Sequence, residues 1–156
     1  MPESTLCKMK IEDEIKQQKF KTPHQKAVLN LIYTTSWMQG RQKDIFKTFG
    51  ITLQQFNILR ILRGQHPSST SATEIKSRML DKNSDVSRLI DRLIVKKLVE
   101  KKICPSDKRA ADILITETGL EILEALSKKQ KEIDGILGLT DEEANQLSDL
   151  LDKARG

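Results

Sequence analysis

Apolar residues recur at steps of three and four along most of the chain, the pattern of helices that each bury one face. Over residues 24–49 the stripe is Val28, Leu31, Ile32, Thr35, Met38, Ile45, Phe46 and Phe49, with Gly50 as its stop. Pro23 suits the first turn and Thr22 suits the cap before it. Ala27, Tyr33 and Trp37 add apolar surface off that stripe, so this helix wants two partners. Thr52-Leu-Gln-Gln55 reads as a capping box, followed by Phe56, Leu59 and Leu62 on one face and Gly64 as a stop. Residues 66–70 read as a loop. Ser71-Ala-Thr-Glu74 reads as a second capping box and opens a short helix to about Met79, and a polar turn follows at Asp81–Asn83. Residues 84–97 are strongly amphipathic. Val86, Leu89, Ile90, Leu93 and Ile94 face inward, and Asp85, Ser87, Arg88, Asp91 and Arg92 face out. Met9, Ile15 and Phe20 are sparse, so residues 5–20 read as a short helix or ordered arm.

The period then changes. Residues 99–104 and 112–116 are β-branched runs separated by Pro105-Ser-Asp-Lys-Arg109, which has turn chemistry, so they predict one β-hairpin with a basic tip. Thr116 caps a helix carrying Leu123, Leu126, Ile133 and Leu137, with Gly138 as its stop. Thr140-Asp-Glu-Glu143 opens a last helix with Ala144, Leu147, Leu150 and Leu151 on one face. The expected fold class is mostly α with a small β-hairpin wing, a winged helix-turn-helix in a single domain over 1–156.

Several classes are excluded. No apolar run reaches the length of a membrane span, and the N-terminus has early acids and no apolar core of a signal peptide. Cys7 and Cys104 lie far apart, and with His24 and His66 they form no zinc spacing. No Gly-rich phosphate loop or nucleophile–base pair is present, so no enzyme, cofactor or catalytic residue is expected. The chain reads as cytoplasmic and nucleoid-associated, with reduced thiols.

Charge sharpens the picture. The net charge is +5. Residues 76–109 hold eleven bases and five acids, so this stretch is +6 and the remainder −1. Localised positive charge is the footprint of a polyanion contact. Helix, short helix, tight turn, amphipathic helix and basic hairpin, in that order, make a helix-turn-helix with a wing. Its second helix is thin enough for the major groove of double-stranded DNA. Ser87 and Arg88 are expected to meet base edges, and Arg92 to contact phosphate or pair within the chain. Ser71, Thr73, Lys76 and Lys82 are candidate phosphate contacts. Asn83, Ser84 and Asp85 begin the second helix, where Asp85 is better suited to capping than to accepting from a cytosine amine. Lys108 and Arg109 at the hairpin tip suit the minor groove, where negative potential is focused. Asp107 is read as orienting the wing or Arg109, since phosphate repels a carboxylate. Lys101 and Lys102 alternate on the strand, so at most one faces DNA.

Residues 80–116 resemble the MarR (multiple antibiotic resistance regulator) family of bacterial winged-helix repressors. The resemblance is carried by DVSRLIDRLIVKKLVEKK (85–102) and, more sharply, by PSDKRAADILITETG (105–119). It extends over about 24–153. The family often has Gly where this chain has Lys97, which must then take a conformation that Gly takes freely. The resemblance implies a homodimer whose N- and C-terminal helices interlock, with two lobes reading a pseudo-palindromic operator. The DNA-binding lobe would cover about 52–116 and the dimerisation lobe about 5–50 plus 117–156. It also implies a small aromatic or phenolic effector, for which Tyr33, Trp37, Met38 and Phe56 are the candidate pocket. Cys7 precedes the first long helix and lacks the motif of the family's oxidant-sensing thiols. Two other functions compete: a non-specific architectural DNA binder, and a winged helix that binds protein.

Overall fold

The structure, a computed structural model, describes residues 9–104 and 107–156, with the backbone alone for residues 104 and 107–110. The chain divides into two compact units, Met1–Arg41 and Gln42–Gly156. In the first, helix α1 (Ile11–Glu14) is a single turn, and α2 (Pro23–Lys47) begins as expected. Thr22 Oγ1 accepts from the Gln25 amide at 3.1 Å. Within the described part of the arm expected over 5–20, residues 9–20, only α1 is helical, because the apolar residues are too sparse to hold a longer helix against a neighbour. Two contacts with α2 fasten it: the Lys26 ammonium on Glu12, and the Tyr33 hydroxyl donating to Glu14. The hydrogen bond from Lys26 holds the Glu12 carboxyl below its ordinary range. The bond to Glu14 pushes the Tyr33 phenol up.

The second unit contains one core, in which Phe46, Ile58, Leu59, Leu62, Ile75, Ile90, Leu93 and Ile113 are all at or below 1% exposure. Around it run α3 (Leu53–Gln65), β1 (Thr70–Ser71), α4 (Ala72–Arg78), α5 (Val86–Val95), β2 (Val99–Cys104), β3 (Asp107–Ile115), α6 (Glu117–Ser127), α7 (Gln130–Asp134), a 3-10 turn (Gly135–Leu137) and α8 (Asp141–Arg155). The antiparallel sheet has the order β1-β3-β2. The Thr52 and Thr140 capping boxes form in full.

Five expectations are corrected. Gly64 does not stop α3, which runs to Gln65. The end of the predicted loop is strand β1, whose Thr70 pairs with Ile113 while Ser69 Oγ donates to Asp112 at 2.9 Å. At Ser71 only half a capping box forms, because the Glu74 carboxylate binds Arg78 at 2.7 Å instead of turning back. The helix after Thr116 breaks at Ser127, and Gly138 (φ 63) ends the 3-10 turn rather than a continuous helix. Asp107–Arg109 lie in strand β3, not in the turn, so only residues 105–106 separate the two strands.

The two helices that frame α3 stop by the same device. After α2, the Ile51 amide donates to Phe46 and the Gly50 amide to Lys47, with Gly50 at φ 68. After α5, the Leu98 amide donates to Leu93 (3.0 Å) and the Lys97 amide to Ile94 (2.8 Å), with Lys97 at φ 60. Both are Schellman caps, which need one left-handed residue. Gly50 adopts it freely, whereas Lys97 adopts it against the clash of its own Cβ. Replacing Lys97 by Gly should therefore raise stability by about 0.5–1 kcal/mol in urea unfolding. Replacing it by Ala should leave stability unchanged within about 0.5 kcal/mol.

Candidate nucleic-acid interface

The α4–turn–α5 unit sits on α3 through both apolar and polar contacts. Ile75, Met79, Val86, Ile90 and Leu93 enter the core. Asn57 of α3 accepts the Leu80 amide at 2.9 Å, pinning the turn between α4 and α5. At the other end of α5, the Lys96 ammonium binds Gln55 Oε1 (3.2 Å) and the Gly50 carbonyl. Gln55 is 2% exposed, and the same oxygen accepts the Thr52 amide at 3.1 Å. A buried amide of this kind stabilises only if it is fully bonded. These ties fix both ends of α5.

Where α4 and α5 meet, a cleft of about 390 Å³ opens to solvent. It gathers six of the sequence-predicted residues: Thr73, Lys76, Asn83, Ser84, Asp85 and Ser87. Ser84 Oγ is buried there without a hydrogen-bond partner among the described residues. Asp85 caps α5, accepting from the Arg88 amide at 3.1 Å, and its other oxygen lies 3.7 Å from the Arg88 guanidinium. Ser87, Arg88, Asp91 and Arg92 all lie on the exposed side of α5. Ser71 is the cap of α4, its hydroxyl bound to the Glu74 amide at 3.1 Å. Lys82 folds back onto the Ser77 carbonyl at 2.6 Å.

The wing leans on α5 through Lys101, which binds Asp91 at 2.9 Å. The sequence places Asp91 on the outward face of the helix and leaves open which of Lys101 and Lys102 faces DNA, without pairing Asp91 with either. Nothing in the periodicity joins a helix position to a strand position ten residues on. Lys102 stands opposite Asp112 across the sheet. The backbones of Asp107, Lys108 and Arg109 form the start of β3, and their side chains lie outside the described residues, as do Cys7 and the Cys104 side chain.

Of the four residues that the resemblance implies for an effector pocket, Tyr33, Trp37 and Met38 belong to the first unit and Phe56 to the second. Tyr33 and Trp37 line a cavity of about 220 Å³ with Ile11, Glu14 and Asn30. Met38 is half-buried outside that lining, and Phe56 belongs to the core of the second unit, its ring 4.7 Å from that of Phe46. Phe56 is on the same face as Leu59 and Leu62, so the helical period itself marks it as core. His24 and His66 are exposed. Among the described residues no group of three or more His, Cys, Asp or Glu is placed to hold a metal ion, and no helix is long and apolar enough to cross a membrane.

Comparison with known proteins adds the following. A sequence model of the MarR family matches residues 49–110. A MarR transcription factor from Planctomyces limnophilus is 30% identical, with a TM-score of 0.68 over 88% of this chain and 98% of that one. A mutant MarR from E. coli complexed with operator DNA is 26% identical, with a TM-score of 0.68 over 80% of this chain and 91% of that one. A curated relative, the HTH-type transcriptional repressor IacR of Pseudomonas putida, is 26% identical over 110 residues, 69% of this chain. The chain spans 65% of that relative's length.

The geometry assigns Asp85 to capping. Asp85→Ala should lower stability by about 1 kcal/mol, while Asp85→Asn, which keeps the accepting oxygen, should cost much less. Thermal or urea unfolding of the two variants checks this.

Proposed function

The chain belongs to the MarR family of transcriptional regulators, and from that premise we propose that it is a repressor that binds a pseudo-palindromic operator as a homodimer and is released by a small molecule. In this reading α5 lies in the major groove. Ser87 and Arg88 meet base edges, and Thr73, Lys76, Asn83 and Ser84 hold backbone phosphates. Ser71 and Asp85 serve as caps, and Lys82 and Arg92 are outer phosphate contacts. Lys108 and Arg109 enter the minor groove at each flank, with Asp107 orienting them. The observation that carries the reading is the cleft between α4 and α5. It brings hydroxyls, an amide and an ammonium to one place at the start of an exposed polar helix face.

A second copy is the expected cover for what one chain leaves bare. On α2, Val28, Leu31 and Ile32 are 56%, 49% and 62% exposed, and no residue of the fifteen-residue α8 is buried. Helices of this kind draw most of their stability from packing that a single copy does not supply. The proposed lobes are thus about 52–116 for DNA and about 5–50 plus 117–156 for the dimer. Two-fold symmetry then sets two α5 helices one turn of DNA apart. An architectural binder would present a plain lysine face. The mixed Ser87–Arg88 face favours sequence readout instead.

Two substitutions separate reading from positioning. Arg88→Ala should cost about 1–3 kcal/mol of operator affinity and relax preference at one base pair in each half-site. Lys76→Ala should weaken binding to all duplexes alike and shallow the salt dependence by about one unit of slope per contact. Competition binding at several salt concentrations distinguishes them. Equal affinity of the wild type for every duplex would remove the operator reading.

A further inference from the structure

The cavity between the arm and α2 carries chemistry that the phenolic effector of the family resemblance does not suit. Asn30, Tyr33, Thr34 and Trp37 recur at three- and four-residue steps, so they share one side of α2. Val28, Leu31, Ile32 and Thr35 form a second stripe on the opposite side, so the cavity and the bare apolar face do not compete for the same surface. The cavity walls are apolar (Met9, Ile11), aromatic (Tyr33, Trp37) and, at one point, anionic (Glu14). Glu14 is the one carboxylate among the described lining residues, and its bond is to the Tyr33 hydroxyl. That bond commits the phenol proton to Glu14 and keeps Tyr33 from donating to an anionic guest. Neighbouring Glu12 has its cation in Lys26, and among the described residues no cation is paired with Glu14. Asn30 Oδ1 accepts from Thr34 at 3.3 Å. Arg41 stacks on the Trp37 ring at 5.1 Å, so this indole already takes a cation. At about 220 Å³ the space is below the usual range for drug-sized ligands and suits a single ring.

We propose that this cavity binds a small aromatic monocation, a ring carrying one ammonium group, with the ring between Ile11 and the aromatic side chains and the ammonium on Glu14. A phenolate or carboxylate guest would meet the Glu14 charge in a half-enclosed space and be rejected. The proposal deepens the effector part of the reading above. It is tested without DNA, so its failure leaves operator recognition untouched.

Trp37 is the single tryptophan of the chain and lines the cavity, which makes its fluorescence a direct reporter. The full-length protein is titrated with benzylammonium, benzyl alcohol and benzoate at equal ionic strength. The expected result is a saturable change with benzylammonium at the lowest concentration, with benzyl alcohol weaker and benzoate weakest. Glu14→Gln, which keeps an acceptor for Tyr33, should weaken benzylammonium by about tenfold and leave benzyl alcohol unchanged. Benzoate binding as tightly as benzylammonium overturns the proposal, as does an absence of saturation with the cation. If Glu14→Gln fails to fold, as judged by circular dichroism, the ranking of the three probes on the wild type still decides the question.

Discussion

Where α5 gives way to β2, the Leu98 amide donates to Leu93 at 3.0 Å and the Leu98 carbonyl accepts the Thr116 amide at 3.1 Å. One residue thus closes α5 and anchors the far end of the wing. Thr116 strengthens the joint, its hydroxyl donating to the Lys97 carbonyl at 2.7 Å while accepting from the Gly119 amide at 3.1 Å to cap α6. Gly119 is the residue that lets α6 approach. A Cβ there would lie 2.7 Å from Ile115 Cγ1 and nearer still to the Leu98 carbonyl oxygen. Four elements, α5, β2, β3 and α6, therefore meet at a joint with no spare volume. Lys97 adopts its left-handed conformation because these bonds together outweigh the local cost.

The angle between α5 and the wing follows from that joint. Val99 and Ile115 face each other across the first rung of the hairpin and are both buried. Ile113, opposite Lys101, is the last described residue of the hairpin in the core, and at that level the Lys101–Asp91 pair is the next tie between wing and helix. Both side chains are exposed, so the pair contributes under about 1 kcal/mol to stability. Its effect is geometric: it ties the wing to α5 and leaves the Asp91 carboxylate paired on the exposed face of that helix. The other end of α5 is set by Asn57 and by the cap at Asp85. In its proposed role as the reading helix, α5 held at both ends would lose little freedom on binding, and that favours specificity over general affinity.

Most of this architecture was legible in the sequence because its signals are local. Capping residues such as Thr52, Thr116 and Thr140 act over three residues, and the stripe of α5 acts over four. The left-handed demand at Lys97 was legible as well. Contacts between distant segments were not. Strand β1 is two residues long and exists because Ile113 and Asp112 offer a free edge. The break at Ser127 interrupts an apolar pattern that runs on to Leu137, and periodicity carries no notice of it. In the interface, the residues at the start of α5 were legible from their chemistry and position. The buried Gln55 and its bond to Lys96 were not, since a polar residue gives no sign of which partner will reach it.

The central claim is that α5 and its wing read sequence, twice, through a two-fold dimer. Selection of bound duplexes from a random DNA pool, followed by a salt titration of the selected sequence, tests it most directly. The account predicts a two-fold symmetric consensus with half-sites about 10–10.5 base pairs apart and binding that falls steeply with salt. Salt-dependent binding with no consensus, or a consensus without two-fold symmetry, would contradict it.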